Sequence, residues 1–453
     1  MKPPRPSPAV PAGLLRKYDR PGPRYTSYPP ATRFGPPPAP EPGTPGPVSL
    51  YVHLPFCRRQ CLYCGCTNLI ASDPGEADRY LDLLEREFDL RKPLLPADSE
   101  VVRLHLGGGT PTFLSPEQLD RLGRALRNRF PFAETAEVAI EIDPRTLDPE
   151  KTSALRRAGF NRASLGIQDL DPAVQRAIGR IQPIDLVAGA CRTLRDAGFD
   201  SVNFDLIYGL PRQTPDSFAR TLQTAVELAP DRFAVYGYAH VPWLKPLQKR
   251  YEADLPDPET RIRLLQLVID VISGAGYEPI GMDHFARPED PLAQALRAGT
   301  LQRDFQGYST HAGTDLHAFG LSAISRFADR YLQNQKNLSL YRAEIEAGRL
   351  PFLRGYRPNE DDRIRRALIL RIMCDLFVDY RRLSAETGVD VSDYFRNEIA
   401  GLDDLESDGL LHREADGLRI TPLGRLFVRI VAMRFDPHLD EESSGAPRYS
   451  RTV

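Results

Sequence analysis

Four of the chain's six cysteines, Cys57, Cys61, Cys64 and Cys66, crowd into ten residues directly behind the apolar run Tyr51-Val52-His53-Leu54-Pro55-Phe56. Such a run reads as a strand, so the thiols must share one loop at its end. Thiolates this close reach a common centre without a long fold between them, which suits soft metals and iron–sulfur clusters. The C-x3-C-x2-C portion supplies three ligands, one fewer than the four irons of a cubane cluster need. One iron then stays open to another ligand. Structural zinc takes two separated ligand pairs, and no second Cys or His pair follows here at that spacing. A disulfide framework belongs to small secreted chains, and this one has 453 residues. The loop is therefore read as an iron–sulfur site.

A βα rhythm surrounds this loop. Candidate strands cover Val48–Leu54, Val101–Leu106, Glu137–Ile142, Arg162–Ile167, Ser201–Tyr208 and Phe233–Val241, several of them apolar throughout, as strands buried on both faces are. Ser115-Pro116-Glu117-Gln118 reads as an N-cap, a first-turn proline and a capping-box glutamine. Asp148-Pro149 and Thr214-Pro215 repeat that start. Ala158-Gly159-Phe160, Ala197-Gly198-Phe199 and Ala275-Gly276-Tyr277 read as helix C-caps, with glycines 39 and then 78 residues apart, one and two βα units. Six strands with crossover helices predict an α/β fold, a partial (β/α)6 TIM-like barrel with its chemistry at the carboxyl ends of the strands.

The chain then divides into four expected segments. Residues 1–47 hold 16 of the 42 prolines and are expected to be largely extended, a flexible arm by default. Within it Pro23-Arg24-Tyr25-Thr26-Ser27-Tyr28 carries more aromatic surface than a solvated tail needs, so the arm is expected to lie over a site. Residues 48–255 form the barrel. Residues 256–340 are a connecting, substrate-facing region: a helix over Pro258–Ser273, then irregular sequence. Residues 341–453 are mostly helical, with Leu410–Arg413, an Asp416-Gly417 turn and Leu418–Thr421 giving a winged-helix-like end. With no accompanying basic stripe, that end is read as a packing or covering module, not a DNA reader.

Composition excludes little else. Net charge is −2 and 26% of residues are charged, which gives no nucleic-acid or membrane-surface signature. No apolar run approaches the ~20 residues of a membrane span. The cysteine usage fits a reducing cytoplasm, and Cys191 and Cys374 read as core residues.

Several groups face the loop in this reading. Tyr51 and His53 share one face of the first strand by its period of two. His53 stands equally for a satisfied polar group and for a functional one. Gly107-Gly108-Gly109-Thr110-Pro111-Thr112 closes the second strand; its glycines let the backbone approach a ligand, and no Gly-Lys-Ser/Thr follows to make a phosphate loop. Polar residues recur at strand ends: Glu141 and Asp143, Gln168 and Asp169, Asp205. A carboxylate inside Phe204-Asp205-Leu206-Ile207 needs a partner, either a salt bridge or a ligand.

On these residues the chain resembles the radical S-adenosylmethionine enzymes. The blocks PGPRYTSYP, YVHLPFCRRQCLYCGC, HLGGGTPTFL, FNRASLGIQD, DLIYGLPRQT, YAHVP, GMDHFARPED, FQGY and RLFVRIVAMRFD, spread from about residue 14 to 438, resemble the oxygen-independent coproporphyrinogen III oxidase (dehydrogenase) family of haem biosynthesis. The resemblance implies a [4Fe-4S] cluster on Cys57, Cys61 and Cys64, with S-adenosylmethionine on the fourth iron and Cys66 needed without being a ligand. Tyr51, Gly108, Glu141 and Ile324 match contacts to a first S-adenosylmethionine. Tyr63, Gly109, Thr110, Gln168, Arg180, Asp205 and Ala239 match contacts to a second. Gln306 falls in the FQGY block near the reaction chamber, and Cys66, His53 and Gln306 are the expected catalytic residues. The implied reaction uses a 5′-deoxyadenosyl radical to convert two propionates of coproporphyrinogen III to vinyl groups. A reductive donor such as a flavodoxin system and a monomeric cytoplasmic protein complete the expectation. One departure comes after FQGY, where Ser309-Thr310-His311-Ala312-Gly313-Thr314-Asp315 puts His311 in a stretch for which the family favours glutamine and an acidic residue. Two other activities share parts of this pattern. A haem chaperone relative lacks the Cys-Gly-Cys ending and the PRYTSYP arm; a radical methyltransferase acting on haem would not release carbon dioxide.

Overall fold

The computed structural model describes residues 8–73, 75–442 and 449–452. The first seven residues of the expected arm, and 443–448 and 453 of the expected C-terminal segment, lie outside the described residues. The chain divides into two compact units, one built from Arg33–Asp205 with Gly313–Arg357, the other from Met1–Thr32, Leu206–Ala312 and Pro358–Val453.

All six expected strands are present: β1 (Val48–Leu54), β2 (Val101–Gly108), β3 (Phe132–Ile142), β4 (Arg162–Gln168), β5 (Ser201–Tyr208) and β6 (Arg232–Gly237). The last ends four residues before its expected limit, because Pro242 and the turn ahead of it cannot continue a ladder. β1 pairs with β2, β2 with β3 and β3 with β4, all parallel. The expected caps are in place. The Ser115 hydroxyl accepts from the Gln118 amide in a complete capping box, Asp148 caps through the Lys151 amide, and Thr214 forms a box with Ser217.

In the cysteine-bearing unit β1 is central. Its other neighbour is Asp315–Phe319, also parallel, followed outward by an antiparallel meander of Ile324–Phe327, Arg330–Asn334 and Phe352–Tyr356. This corrects the expectation of irregular sequence there: the strands are short, but Asp315–Phe319 and Arg330–Asn334 are almost wholly buried. A buried ion pair on the Gly75–Arg91 helix locks the meander. Glu87 and Arg91 stand 3.5 Å apart with no solvent exposure. Glu87 accepts from the Gly320 amide, Asn334 and the Tyr341 hydroxyl, while Arg91 donates to the Ala318 carbonyl and the Ser325 hydroxyl. The two charges thus offset each other and share neutral partners, with only Arg91 Nε left without one.

In the other unit β6 pairs antiparallel with His284–Ala286, and that strand with Glu278–Ile280. The Pro258–Gly274 helix ends one residue beyond its expected limit. Phe377–Asp379, Gly417–Ile420 and Leu411–Glu414 make the small sheet of the winged-helix-like end. The arm is more ordered than a flexible tail. Ala12–Tyr18 is helical, since Leu14, Leu15 and Tyr18 fall on one face and pack into this unit's core with Tyr25 and Tyr28. The Tyr25 hydroxyl donates to Asp436 at 3.0 Å.

Candidate active site

The cysteine loop is pinned to the glycine turn by backbone bonds. The Gly109 amide donates to the Leu54 carbonyl (2.8 Å) and the Thr110 amide to the Phe56 carbonyl (2.9 Å), while Ala71 donates back to Cys57 (3.0 Å). This closeness explains the glycines. A Cβ on Gly109 would lie 2.5 Å from the Pro55 carbonyl oxygen, and Gly108 has φ +123° with Leu54 and His53 against it. The four loop cysteines are graded from buried Cys61 through half-buried Cys57 and Cys64 to exposed Cys66.

Polar partners already reach the three expected ligands. The Thr110 hydroxyl is 3.4 Å from Cys57 Sγ, Asn68 donates to Cys64 Sγ at 3.5 Å, and Arg180 and Arg145 approach Cys61 Sγ at 3.6 and 3.8 Å. Burial pushes the Cys57 thiol up to about 11, a cost that metal coordination overcomes by fixing the thiolate. Among the described residues no set of three or more His, Cys, Asp or Glu side chains converges on a single metal ion. A cubane does not require that, since each cysteine binds a different iron. Three thiols on one short loop, with guanidinium groups and hydroxyls at their sulfurs, fit such a cluster.

Behind the loop runs a polar chain. His53 Nε2 lies 2.9 Å from the Thr67 carbonyl, which can only accept, so Nε2 carries the proton. Nδ1 is then the acceptor for the Tyr51 hydroxyl at 3.0 Å. Burial holds His53 below its ordinary range and Tyr51 well above its own, so both stay neutral. Tyr51 also stacks on His105, whose Nε2 is 3.0 Å from Glu141 Oε1; the Gly108 amide donates to Oε2 at 3.2 Å. Sequence reading passed over His105. Its signal was the alternation Arg103-x-His105-x-Gly107, which puts it on the glycine-turn face of β2.

A second cluster gathers at the ends of β3 and β4. Asp143 accepts from Arg145 (2.6 Å) and Arg180 (2.9 Å), and Arg180 also donates to the Gly166 carbonyl. Burial pushes the Asp143 carboxyl up, yet the two arginines hold it below the usual range. Gln168 adopts a left-handed φ of +66°, a conformation a non-glycine residue keeps only where its surroundings enforce it. Asp205 accepts from Ser164 (2.6 Å) and Asn203 (2.8 Å), so these partners are neutral side chains. Asp169 instead braces its own loop by accepting from the Asp171 amide.

Thus the cysteine-bearing unit holds Tyr51, His53, Tyr63, Gly108, Gly109, Thr110, Glu141, Gln168, Arg180, Asp205 and Ile324 together with the four cysteines. Ala239 and Gln306 belong to the other unit. Both amide atoms of Gln306 are buried there without a hydrogen-bond partner.

Comparison with known proteins matches residues 51–225 to the Radical SAM superfamily and residues 359–427 to the HemN C-terminal domain. A protein of Pseudomonas aeruginosa named oxygen-independent coproporphyrinogen III oxidase is 43% identical, covering 98% of both chains. One of that name from Synechocystis is 42% identical over 98% of both. The solved structure described as coproporphyrinogen III oxidase (HemN) from Escherichia coli, a radical SAM enzyme, superposes with a TM-score of 0.87 at 41% identity, covering 95% of this chain and 99% of that one.

Proposed function

The chain belongs to the oxygen-independent coproporphyrinogen III oxidases of the radical SAM superfamily, and from that premise we propose how its own residues serve the reaction. The protein is an oxidoreductase that decarboxylates two propionates of coproporphyrinogen III to vinyl groups, giving protoporphyrinogen IX. It uses a [4Fe-4S] cluster and S-adenosylmethionine. When bound, these supply a 5′-deoxyadenosyl radical that takes hydrogen from the propionate side chain. The observation that carries the reading is the C-x3-C-x2-C loop held by backbone bonds against the Gly107-Gly108-Gly109-Thr110 turn.

Cys57, Cys61 and Cys64 hold the cluster, and Arg145 and Arg180 stabilise charge at the Cys61 sulfur. Tyr51, Gly108, Glu141 and Ile324 take the first S-adenosylmethionine. Tyr63, Gly109, Thr110, Gln168, Arg180, Asp205 and Ala239 take a second. Glu141 suits an ammonium group: its side chain is 43% exposed, open for a ligand although His105 and Gly108 fix its direction. His53 is kept neutral and oriented by Thr67, able to relay a proton through Tyr51. Cys66, exposed beside the ligand cysteines, and Gln306, with its unpartnered amide, act on the substrate. Among the described residues no helix is long and apolar enough to cross a membrane. A monomer in the cytoplasm, binding neither nucleic acid nor membrane and fed by a flavodoxin-type donor, completes the reading.

The test is anaerobic turnover of the iron-reconstituted protein with dithionite, S-adenosylmethionine and coproporphyrinogen III. Protoporphyrinogen with 5′-deoxyadenosine and methionine is the expected product set. Tight haem binding without S-adenosylmethionine cleavage would replace the reading with a haem chaperone, and a methylated tetrapyrrole would replace it with a methyltransferase.

A further inference from the structure

Five arginines, Arg24, Arg261, Arg425, Arg429 and Arg451, line one cavity of about 40 Å³ against a single carboxylate, Asp283. That volume admits roughly two or three waters, or one carboxylate group. All of its lining falls within one compact unit. Tyr208 and Gly237, the last residues of β5 and β6, also line it. Carboxyl ends of strands are where α/β folds bind ligands.

Three of the arginines are occupied by the protein. Arg24 donates to the Gly237 carbonyl at 2.5 Å. Arg429 donates to the carbonyls of Gly22, Pro23 and Arg451, and Arg451 pairs with Asp19 at 2.6 Å. Asp283 is held through Oδ1 by His284 at 2.7 Å and Arg303 at 3.5 Å, while its Oδ2 is buried without a hydrogen-bond partner. Two guanidinium groups are left over: Arg425, with Nε and Nη2 shut off from solvent and unpartnered, and Arg261, whose Nε is in the same state. Burial pushes Arg425 down to about 10 and Arg429 down to about 9. Like charges sealed in this way are costly until an anion joins them.

We propose that this cavity is the substrate's carboxylate pocket, in which Arg425 and Arg261 grip a propionate through the guanidinium fork. The assignment rests on the coproporphyrinogen reading above and adds to it the residues that recognise the substrate's acid groups. The carboxylate of S-adenosylmethionine has the same chemistry, and the test separates the two.

Coproporphyrin III, the fluorescent oxidised form of the substrate, reports binding without turnover. Arg425→Gln and Arg261→Gln are each expected to weaken its binding roughly 10- to 100-fold, the loss of one or two hydrogen bonds to a charged group. Arg425→Lys is expected to recover part of that loss, and the porphyrin tetramethyl ester should bind wild type and variants alike. In the holoenzyme, KM for coproporphyrinogen III rises while affinity for S-adenosylmethionine and the iron content stay at wild-type values. Unchanged coproporphyrin binding in both glutamine variants overturns the assignment, as does a loss of S-adenosylmethionine affinity in its place. Wild-type protein that neither binds nor turns over coproporphyrinogen overturns the functional reading, and this assignment with it. Wild-type turnover alongside unaffected variants overturns the assignment alone.

Discussion

Arg180 and Asp143 form an ion pair of 2.9 Å in which each side chain is only 7% exposed, and the same guanidinium reaches the Cys61 sulfur at 3.6 Å. One planar fork thus serves a carboxylate, the Gly166 carbonyl and a thiol at once. Arg180→Gln is expected to lower stability by about 3 kcal/mol, the low end for breaking a buried pair, because Arg145 still neutralises Asp143. Arg180→Lys should recover little, since one ammonium nitrogen cannot stand where both Nη1 and Nη2 meet their acceptors. Urea unfolding of the apoproteins checks this; a lysine variant matching wild type would mean that charge alone suffices.

The cysteines separate by role. Cys61→Ser is expected to abolish the cluster, read as loss of bound iron and of its visible absorption. Cys66→Ser is expected to keep the iron and lose product formation. Equal iron in wild type and Cys61→Ser would remove Cys61 from the ligand set.

Backbone approach makes the glycine turn intolerant. A Cβ at Gly109 meets the carbonyl of Pro55 at 2.5 Å, which only a backbone shift relieves, so Gly109→Ala should cost at least about 1 kcal/mol and displace the loop. Gly189, inside the Ile184–Asp196 helix with nothing within 4 Å of its Cβ position, is the control. Gly189→Ala is expected to stabilise by about 0.5–1 kcal/mol. Thermal unfolding of the two variants distinguishes steric closeness from a general cost of replacing glycine.

Local signals were legible wherever a short stretch of chain carries them. The strands Val48–Leu54 and Ser201–Tyr208 match their expected bounds, and the proline-marked caps at Ser115, Asp148 and Thr214 are real because capping is decided within four residues. The cysteine spacing pointed to the cluster for the same reason. The features that escaped depend on distant partners. Asp315–Phe319 becomes a strand because β1 offers it a free edge and the Glu87–Arg91 pair anchors the meander beyond it. Asp169 accepts from the amide of Asp171 in its own loop, a choice of rotamer that sequence does not display. Arg425 and Arg261 were invisible among 59 basic residues until the fold brought them to one cavity.

The neutral His53 carries a pH signature. Buried between Tyr51 and the Thr67 carbonyl, it is held below its ordinary value of 6.5, burial outweighing the help that Thr67 gives the charged form. From about one pH unit above 6.5 the ring is almost wholly neutral in both folded and unfolded chains and contributes almost nothing to pH dependence. As pH falls below 6.5 the unfolded chain takes up the proton first, so stability drops until the folded ring titrates too. The limiting slope for one proton is about 1.4 kcal/mol per pH unit. His53→Asn removes this titration, so the apoprotein's loss of stability between pH 6.5 and 5.5 should be shallower in the variant by up to that amount. Urea midpoints at those two pH values, with pH 7.5 as the reference, measure it. Parallel slopes in wild type and variant would place the His53 proton on both states alike and remove the case for a neutral ring.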